Sequence, residues 1–333
     1  MILIISEKYD TQTDSILDWL RYSGKDVIRI NDHDRIEFHR LEIIDGATEY
    51  QFEVTTELGE TYMIKSNGIE WIWYRRGDYV FFPPSCKTFG LDVNVADSLR
   101  NHLKRNIDTV REVLHKMQTE KQTGNYYDNS TNKILNLNTA LKLGIVVPDT
   151  IVVSKKEALI EFMSSHAKVI TKGLVVNGFE IDNQLTCSCL TNEITPEVLN
   201  NLSDIFALSM FQEMIQKELE LRVFFFNGKI FSVAMFTQKN VKTKVDFRNY
   251  DSSTPTRVVP FILPNDLESK IGRFMSEIKM TTGSLDFIVG TDGRYYFLEV
   301  NPVGQFGFIS NWCNAILERE IANHIIEMAH GKA

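Results

Sequence analysis

Two apolar segments near the end of the chain carry carboxylates where a buried strand is normally free of charge. Residues 284–290 and 294–300 alternate like strands, and Thr291-Asp292-Gly293 between them predicts a hairpin turn. Asp286 interrupts the first apolar strand. Because a buried carboxylate is costly unless it is paired or bound to a metal, the fold around this hairpin must provide a partner for the charge.

The second strand of the hairpin adds further oxygen atoms. Glu299 and Asn301 lie two positions apart, so they share one face of the strand. With Asp286 they give two carboxylates and an amide, the hard oxygen ligands that Mg²⁺ prefers beside water and substrate phosphates. The alternative is that Asp286 and Glu299 only form ion pairs or backbone hydrogen bonds, and the hairpin alone leaves both interpretations open.

The first part of the chain alternates strand and helix patterns. A strand at 2–5, an amphipathic helix from about Thr13 to Gly24 and a strand at 26–30 predict a βαβ opening. Segments 35–44, 50–55 and 61–65 alternate like hairpin strands, and the apolar run 71–74 predicts a buried strand. A long helix is expected over 91–117. This order of elements predicts an α/β fold.

The polar stretch 118–129 predicts a linker between lobes. Beyond it, helices and short strands extend to residue 209, and strands predominate from 210 until a closing helix at 311–329. We therefore expect three segments: an N-terminal domain at 1–120, a central subdomain at 121–209 and a C-terminal subdomain at 210–333 that contains the carboxylate hairpin.

Charge and hydropathy exclude two classes of partner. The 333 residues have a formal net charge of −8 and no block of Lys and Arg, so binding of nucleic acid is not expected. No apolar run approaches the roughly 18 residues that span a bilayer, and no signal peptide is apparent, so we expect a cytoplasmic protein without membrane partners.

Three cations precede the hairpin in positions that suggest anion binding. Lys133 begins an amphipathic helix, and Lys172 ends a short strand before a glycine. Arg222 lies among apolar residues of a predicted strand, so it needs an anionic partner if that strand is buried. Each of these residues alone is only weak support for an anion-binding site, because a lone lysine is usually solvated. Their joint order ahead of the hairpin is the informative feature.

This order resembles the ATP-grasp superfamily over residues 118–333, in the branch with ribosomal-protein glutamylating ligases and glutathione synthetases. The resemblance implies two α+β lobes clasping ATP, preceded by a Rossmann-like pre-ATP-grasp domain at 1–120. It also implies ATP and Mg²⁺ as cofactors. For the nucleotide, the resemblance implies phosphate binding by Lys133 and Lys172, ribose binding by Glu220, and adenine binding by Gln212, Glu213, Met214 and Ile215. For the metal, it implies magnesium binding by Asp286, Glu299 and Asn301, and Asn301 would also contact the nucleotide. Arg222 and Arg248 would neutralise the transferred phosphoryl group.

The chain departs from the ATP-grasp pattern in one place. The glycine-rich phosphate loop expected after Lys172 is reduced to residues 173–178, so this loop is expected to have a different shape. Neither the P-loop pattern GxxxxGK[ST] nor the dinucleotide pattern GxGxxG is present, which argues against the commonest other nucleotide folds.

Two further segments are similar to graspetide peptide maturases of the microviridin and grasp-with-spasm types. They are Asn-Pro-Val-Gly-Gln-Phe-Gly at 301–307 and Trp-Tyr-Arg-Arg at 73–76. The resemblance implies an ADP-forming carboxylate ligase. Its partner would be a ribosomally made precursor with a leader and a Thr- and Glu-rich core, whose Glu or Asp side chains are phosphorylated and then form macrocyclic ω-esters with Thr or Ser hydroxyls.

Several alternatives stay open at this point. An amide-forming ligase that adds an amino acid to a peptide or small acid, and an ATP-binding sensor without chemistry, both retain the same nucleotide residues. One of the arginines Arg75 and Arg76 either pairs with Asp78 or faces the cleft and binds acidic side chains of a peptide core. The assembly is either a monomer or a homodimer.

Overall fold

The computed structural model describes residues 1–81, 93–117, 119–129, 131–175, 179–181, 185–187, 191–238 and 256–331. Only the backbone is described at 119, 128–129, 179–181 and 185–187. The chain divides into two compact units. One comprises Met1–Asn129 and Ala315–Ala333, and the other comprises Ser130–Asn314. The division into segments 1–120, 121–209 and 210–333 stays a prediction.

The elements follow one another in this order along the chain. The first part contains β1 (Ile2–Ser6), α1 (Thr11–Tyr22), β2 (Val27–Asn31), β3 (Arg35–Ile44), β4 (Ala47–Thr55), β5 (Thr61–Lys65), β6 (Trp71–Tyr74), α2 (Val93–Met117) and β7 (Gln122–Thr123). The second part contains α3 (Lys133–Lys142), β8 (Thr150–Lys155), α4 (Lys156–Ser164), β9 (Val169–Lys172), β10 (Phe179–Ile181), β11 (Leu185–Cys187), β12 (Asn192–Glu193), α5 (Pro196–Asn201), β13 (Ile205–Glu213), β14 (Lys217–Phe226), β15 (Lys229–Phe236), β16 (Arg257–Pro260), α6 (Asn265–Glu277), β17 (Thr282–Gly290), β18 (Tyr295–Asn301) and α7 (Gly307–Cys313), and α8 (Leu317–Ala329) closes the chain.

The first unit contains a parallel sheet with strand order β2-β1-β6-β7. Helix α1 connects β1 to the parallel β2, which confirms the βαβ opening. The strands β3, β4 and β5 form a separate antiparallel sheet. Residues of both sheets share one core, with Ile5, Phe52 and Ile72 among its buried members. The name Rossmann-like for this unit stays a prediction.

The second unit contains two larger antiparallel sheets. One has the order β12-β9-β13-β8, and the other has the order β16-β15-β14-β17-β18. A separate hairpin is formed by β10 and β11. The predicted carboxylate hairpin is present as β17 and β18, with Asp286 directly opposite Glu299.

The five-stranded sheet has two chemically different faces because strand side chains alternate. One face carries the apolar residues that pack with α3 and α6 into the core. They are Leu221, Val223, Phe225, Leu285, Phe287, Val289, Phe297 and Val300. The alternate positions, including Glu220, Arg222 and Asp286, point to the other face. The apolar core thus fixes the sheet and presents its polar residues on the opposite side.

No helix within the described ranges is long and apolar enough to cross a bilayer.

The closing helix predicted at 311–329 is wrong as a single element. Two helices occur instead, α7 and α8, and the break between them lies at Asn314 and Ile316. Both residues have left-handed backbone, with φ of 54° and 48°. Asn tolerates this conformation because its short polar side chain can hydrogen-bond locally. Helix α8 packs on α1 and β6 of the first unit, so the break is where the chain passes from one unit to the other.

Substitutions at Asn314 test this break. Glycine adopts the left-handed region without a steric cost, so Asn314→Gly is expected to leave stability nearly unchanged. Asn314→Val places a β-branched side chain there and is expected to lower the free energy of unfolding by about 1 kcal/mol. Urea denaturation measures both. Equal stability of the two variants would mean that residue 314 continues a helix.

Candidate functional site

Three charged residues form a row across neighbouring strands on the polar face of the five-stranded sheet. Arg222 on β14 lies opposite Asp286 on β17, and Asp286 lies opposite Glu299 on β18. A bulge between Asp286 and Phe287 keeps the two carboxylates opposite each other. Side chains directly opposite on one face are neighbours, so the sheet itself brings these charges together.

Asp286 is held by two donors. Arg222 Nη1 donates to Oδ1 at 2.8 Å and to Oδ2 at 2.9 Å, and Asn301 Nδ2 donates to Oδ2 at 3.1 Å. Asp286 and Arg222 are 6% and 7% exposed, so their charges need each other in this environment. Asp286 thus forms an ion pair, and metal binding is compatible with that pair, since a carboxylate has about four lone-pair sites.

Glu299 has a cation partner from another element. Lys133 Nζ lies 2.9 Å from Glu299 Oε2, and it also donates to the carbonyl oxygen of Gly173 at 3.1 Å. Lys133 begins α3, and Gly173 follows β9. This lysine therefore connects the carboxylate hairpin with the loop after β9, where the sequence predicts phosphate contacts.

The donor set fits a magnesium nucleotide better than a metal held by protein alone. Among the described residues, no group of three or more His, Cys, Asp or Glu side chains gathers as a metal site. Asp286, Glu299 and Asn301 supply two carboxylates and an amide, and Mg²⁺ typically takes one or two carboxylates together with substrate phosphates. Arg222 Nε is buried without a partner in the described part of the chain.

A cavity of about 570 Å³ lies beside this row. It has the size of a small-molecule binding site. One side is lined by the four-stranded sheet, with Ile170, Lys172 and Gln212, and the other by the five-stranded sheet, with Ile288, Leu298 and Glu299 among others. Apolar and charged residues thus meet in one cavity, as an aromatic base attached to phosphates requires.

The end of β13 and the three residues after it connect the two sheets. Gln212, Glu213, Met214 and Ile215 all line the cavity. The N–H groups of Glu213 and Met214 are already used, since they donate to the carbonyl oxygens of Asp149 at 3.0 Å and Lys168 at 2.9 Å. The Ile215 N–H makes no hydrogen bond within the described residues. It can therefore donate to a ligand in the cavity.

Glu220 lines the same cavity and is 5% exposed. Burial raises the pKa of its carboxyl, and the adjacent Lys217 ammonium opposes that rise. Lys217 and Thr237 both donate hydrogen bonds to the Glu220 carboxylate, and neither residue was identified from the sequence. Lys217 precedes Glu220 by three positions, which places two residues on opposite faces of a regular strand. A bulge between Lys217 and Leu219 brings them to the same side, and no sequence signal marks that bulge.

The remaining predicted residues have different outcomes. Lys172 ends β9, as expected, and it lines the cavity, while its predicted phosphate binding stays a prediction. Arg248 lies outside the described residues, as do residues 176–178 of the loop after Lys172. Their predicted roles stay predictions.

Arg75 and Arg76 do not pair with Asp78, so that part of the prediction is wrong. Asp78 instead contacts His115 and Arg111, each at 2.8 Å. Asp10 accepts from Arg75 Nε at 3.1 Å and lies 3.1 Å from Arg76 Nε. Burial lowers the pKa of the Arg75 guanidinium to about 10, and Asp10 opposes this. Peptide binding by either arginine stays a prediction, and Arg76, which is half-buried, is the more accessible of the two.

Solved structures match this architecture over nearly the whole chain. An RiPP-associated ATP-grasp ligase from Chryseobacterium gregarium, in complex with ADP and a leader and core peptide, superposes with a TM-score of 0.79. The match covers 100% of this chain and 97% of that chain at 22% identity. The chain has the ATP-grasp fold. The predicted α/β fold with ATP-grasp lobes is thus confirmed.

Two other ATP-grasp structures agree. The macrocyclase MdnC bound with precursor peptide MdnA, from Microcystis aeruginosa, matches with a TM-score of 0.75 and 22% identity, covering 98% of this chain and 100% of that one. The ATP-grasp ligase PsnB, complexed with a phosphomimetic precursor variant, Mg and ADP, matches with a TM-score of 0.67 and 15% identity, covering 98% of both chains. No protein-family model and no curated protein matches the sequence.

The buried Arg222–Asp286 pair is expected to contribute to the stability of the protein. Arg222→Met leaves Asp286 buried without its cation and is expected to lower the free energy of unfolding by roughly 3 kcal/mol or more. The double variant Arg222→Met/Asp286→Leu replaces both charges with apolar groups and is expected to recover most of that loss. Urea denaturation of the single and double variants measures the coupling. Additive losses would show that the two side chains do not depend on each other.

Proposed function

We propose that this chain is an ATP-dependent peptide maturase that activates Glu or Asp side chains of a ribosomal precursor and joins them to Thr or Ser hydroxyls as macrocyclic ω-esters. The observation that carries the proposal is the row of Arg222, Asp286 and Glu299 beside a nucleotide-sized cavity in an ATP-grasp fold. The cavity also receives Lys172 from the facing sheet. Such a set of charges suits a magnesium nucleotide.

The charges near the row suit an anionic ligand. Arg222 and Lys133 balance the two carboxylates Asp286 and Glu299, so a divalent cation bound there would add positive charge. Lys172, which lines the cavity, adds a further positive charge. Asp286, Glu299 and Asn301 would hold Mg²⁺, and Lys133 and Lys172 would hold the phosphates. The metal would stabilise charge on the transferred phosphoryl group.

The other end of the cavity suits adenosine. Ile170, Met214, Ile288 and Leu298 supply apolar surface for the base, and the Ile215 N–H can donate to a ring nitrogen. Gln212 and Glu213 complete this part of the binding site, and Glu220 would accept hydrogen bonds from the ribose. The sites for base, sugar and phosphates then follow one another along the cavity.

The chemistry follows from the need to activate a carboxylate. A carboxylate is a poor electrophile, whereas its mixed anhydride with phosphate carries a good leaving group. Arg222, and Arg248 outside the described residues, would neutralise negative charge as phosphate leaves, which is the dominant contribution of a protein to such transfers. No side-chain nucleophile of the protein is needed, because a hydroxyl of the peptide attacks.

A peptide substrate is supported by the three solved ATP-grasp structures, all of which contain a precursor or a leader and core peptide. The net charge of −8 favours a neutral or basic leader. Arg76, and with lower access Arg75, would bind acidic side chains of the core. A cytoplasmic location, where ribosomal precursors are made, completes the proposal.

Neutral variants of the carboxylates test the magnesium assignment. Asp286→Asn and Glu299→Gln each remove one anionic ligand, and turnover per folded molecule is expected to fall by at least about 100-fold. ADP release with a precursor peptide measures turnover, and circular dichroism reports folding. Asp266→Asn on α6, which breaks an ion pair with Lys270 away from the cavity, is the matched control and should remain active. Normal turnover in both carboxylate variants would remove the assignment.

Isotope transfer tests the reaction itself. A precursor taken from neighbouring reading frames is labelled with heavy oxygen in its Glu and Asp carboxylates. One label per bond is expected in inorganic phosphate, with ADP as coproduct, because the carboxylate oxygen leaves with the phosphate. Each ester should also lower the peptide mass by one water. AMP with pyrophosphate would exclude the acyl phosphate, and a mass gain equal to an amino acid would select an amide-forming ligase.

A further inference from the structure

Lys217 is a buried cation at the edge of the cavity that the proposed chemistry leaves without a task. It is 8% exposed and lines the cavity. Lysine is almost never buried without an anionic partner. Its partner is Glu220, whose carboxylate Oε1 accepts from Lys217 Nζ.

The two donors on Glu220 converge on a single oxygen. Thr237 Oγ1 donates to Oε1 at 2.8 Å, and Lys217 Nζ donates to the same Oε1. Within the described residues, Oε2 accepts no hydrogen bond. Oε2 is also absent from the polar atoms that are fully buried without a partner, so it is accessible from the cavity that Glu220 lines. The carboxylate therefore has one anchored oxygen and one available oxygen.

The environment makes this anchoring necessary. Burial disfavours the ionised carboxylate, and the Lys217 ammonium favours it. The side chain of Glu220 also has several rotatable bonds, so two hydrogen bonds to Oε1 restrict the direction in which Oε2 points. Both effects depend on the bulge at the start of β14, which turns Lys217 toward Glu220.

We infer that Lys217 is a positioning residue that fixes Glu220 as an acceptor for the two vicinal hydroxyls of a ribose, so that the chain selects ribonucleotides over deoxyribonucleotides. This inference rests on the proposed nucleotide function. A carboxylate oxygen can accept from two hydroxyls at once, and hydrogen bonds to a charged acceptor are stronger than those to neutral groups. A nucleotide without these hydroxyls would leave Oε2 without these two hydrogen-bond donors.

The test compares the binding of two nucleotides to the full chain. Isothermal titration with Mg²⁺ measures Kd for ATP and for 2′,3′-dideoxy-ATP. The unmodified chain is expected to bind ATP roughly tenfold or more tightly than the dideoxy nucleotide. In Lys217→Met the ratio of the Kd for 2′,3′-dideoxy-ATP to the Kd for ATP should fall to within about twofold, mainly through weaker ATP binding. Lys217→Arg should restore most of the ratio because it keeps the cation.

Further variants separate positioning from folding. Thr237→Val removes the other donor to Oε1 and should lower the ratio by a smaller factor. Lys270→Met on α6 removes a lysine that pairs with Asp266 outside the cavity and should leave both Kd values unchanged. A purely structural Lys217 would weaken both nucleotides equally in Lys217→Met, and an unchanged ratio in that variant overturns the inference.

The outcomes also distinguish this inference from the proposed function. If the unmodified chain binds ATP but shows no preference over the dideoxy nucleotide, the inference is wrong and the proposed function stands. If the chain binds neither nucleotide with Mg²⁺, the proposed function itself fails. Preference for ATP that persists in Lys217→Met would assign the ribose contact to other groups.

Discussion

The pairing of Arg222 with Asp286 is the interaction on which the site depends. Both side chains lie on the polar face of the five-stranded sheet, where neither charge could remain buried alone. Their strands are neighbours because the opposite face carries apolar residues that pack against α3 and α6. The same hydrophobic core that stabilises the second unit therefore determines which charges meet.

From this pair the site extends in both directions. Glu299 lies opposite Asp286 and meets Lys133 from α3, and Asn301 donates to Asp286 from two positions further along β18. Each anion thus has a cationic or amide partner within the protein. In the proposed function, a magnesium nucleotide would exchange some of these contacts for its own.

Two bulges adapt the regular sheet to the proposed chemistry. The bulge beside Asp286 keeps it opposite Glu299, and the bulge at the start of β14 turns Lys217 toward Glu220. Bulges occur often next to active sites because an extra residue re-aims a side chain without breaking the sheet. They also explain why Lys217, three positions before Glu220, belongs to the same part of the cavity.

The sequence by itself determined the elements and much of the site. Apolar patterns predicted β3, β5 and β6 with their observed bounds, and the charges within the last hairpin pointed to Asp286 and Glu299. Short-range patterns suffice for this because the side-chain period follows directly from backbone geometry.

The break at Asn314 was not predicted, because the sequence pattern on both sides of it is helical. Only the packing of α8 against α1 and β6 explains where the chain turns. Which cation meets which carboxylate was likewise decided by tertiary structure. Lys133 is 166 residues from Glu299, Asp10 rather than Asp78 pairs with Arg75, and Lys217 reaches Glu220 through a bulge. Such pairings depend on strand register and on burial, which are set by segments far apart in the sequence, so they cannot be predicted from the local sequence pattern.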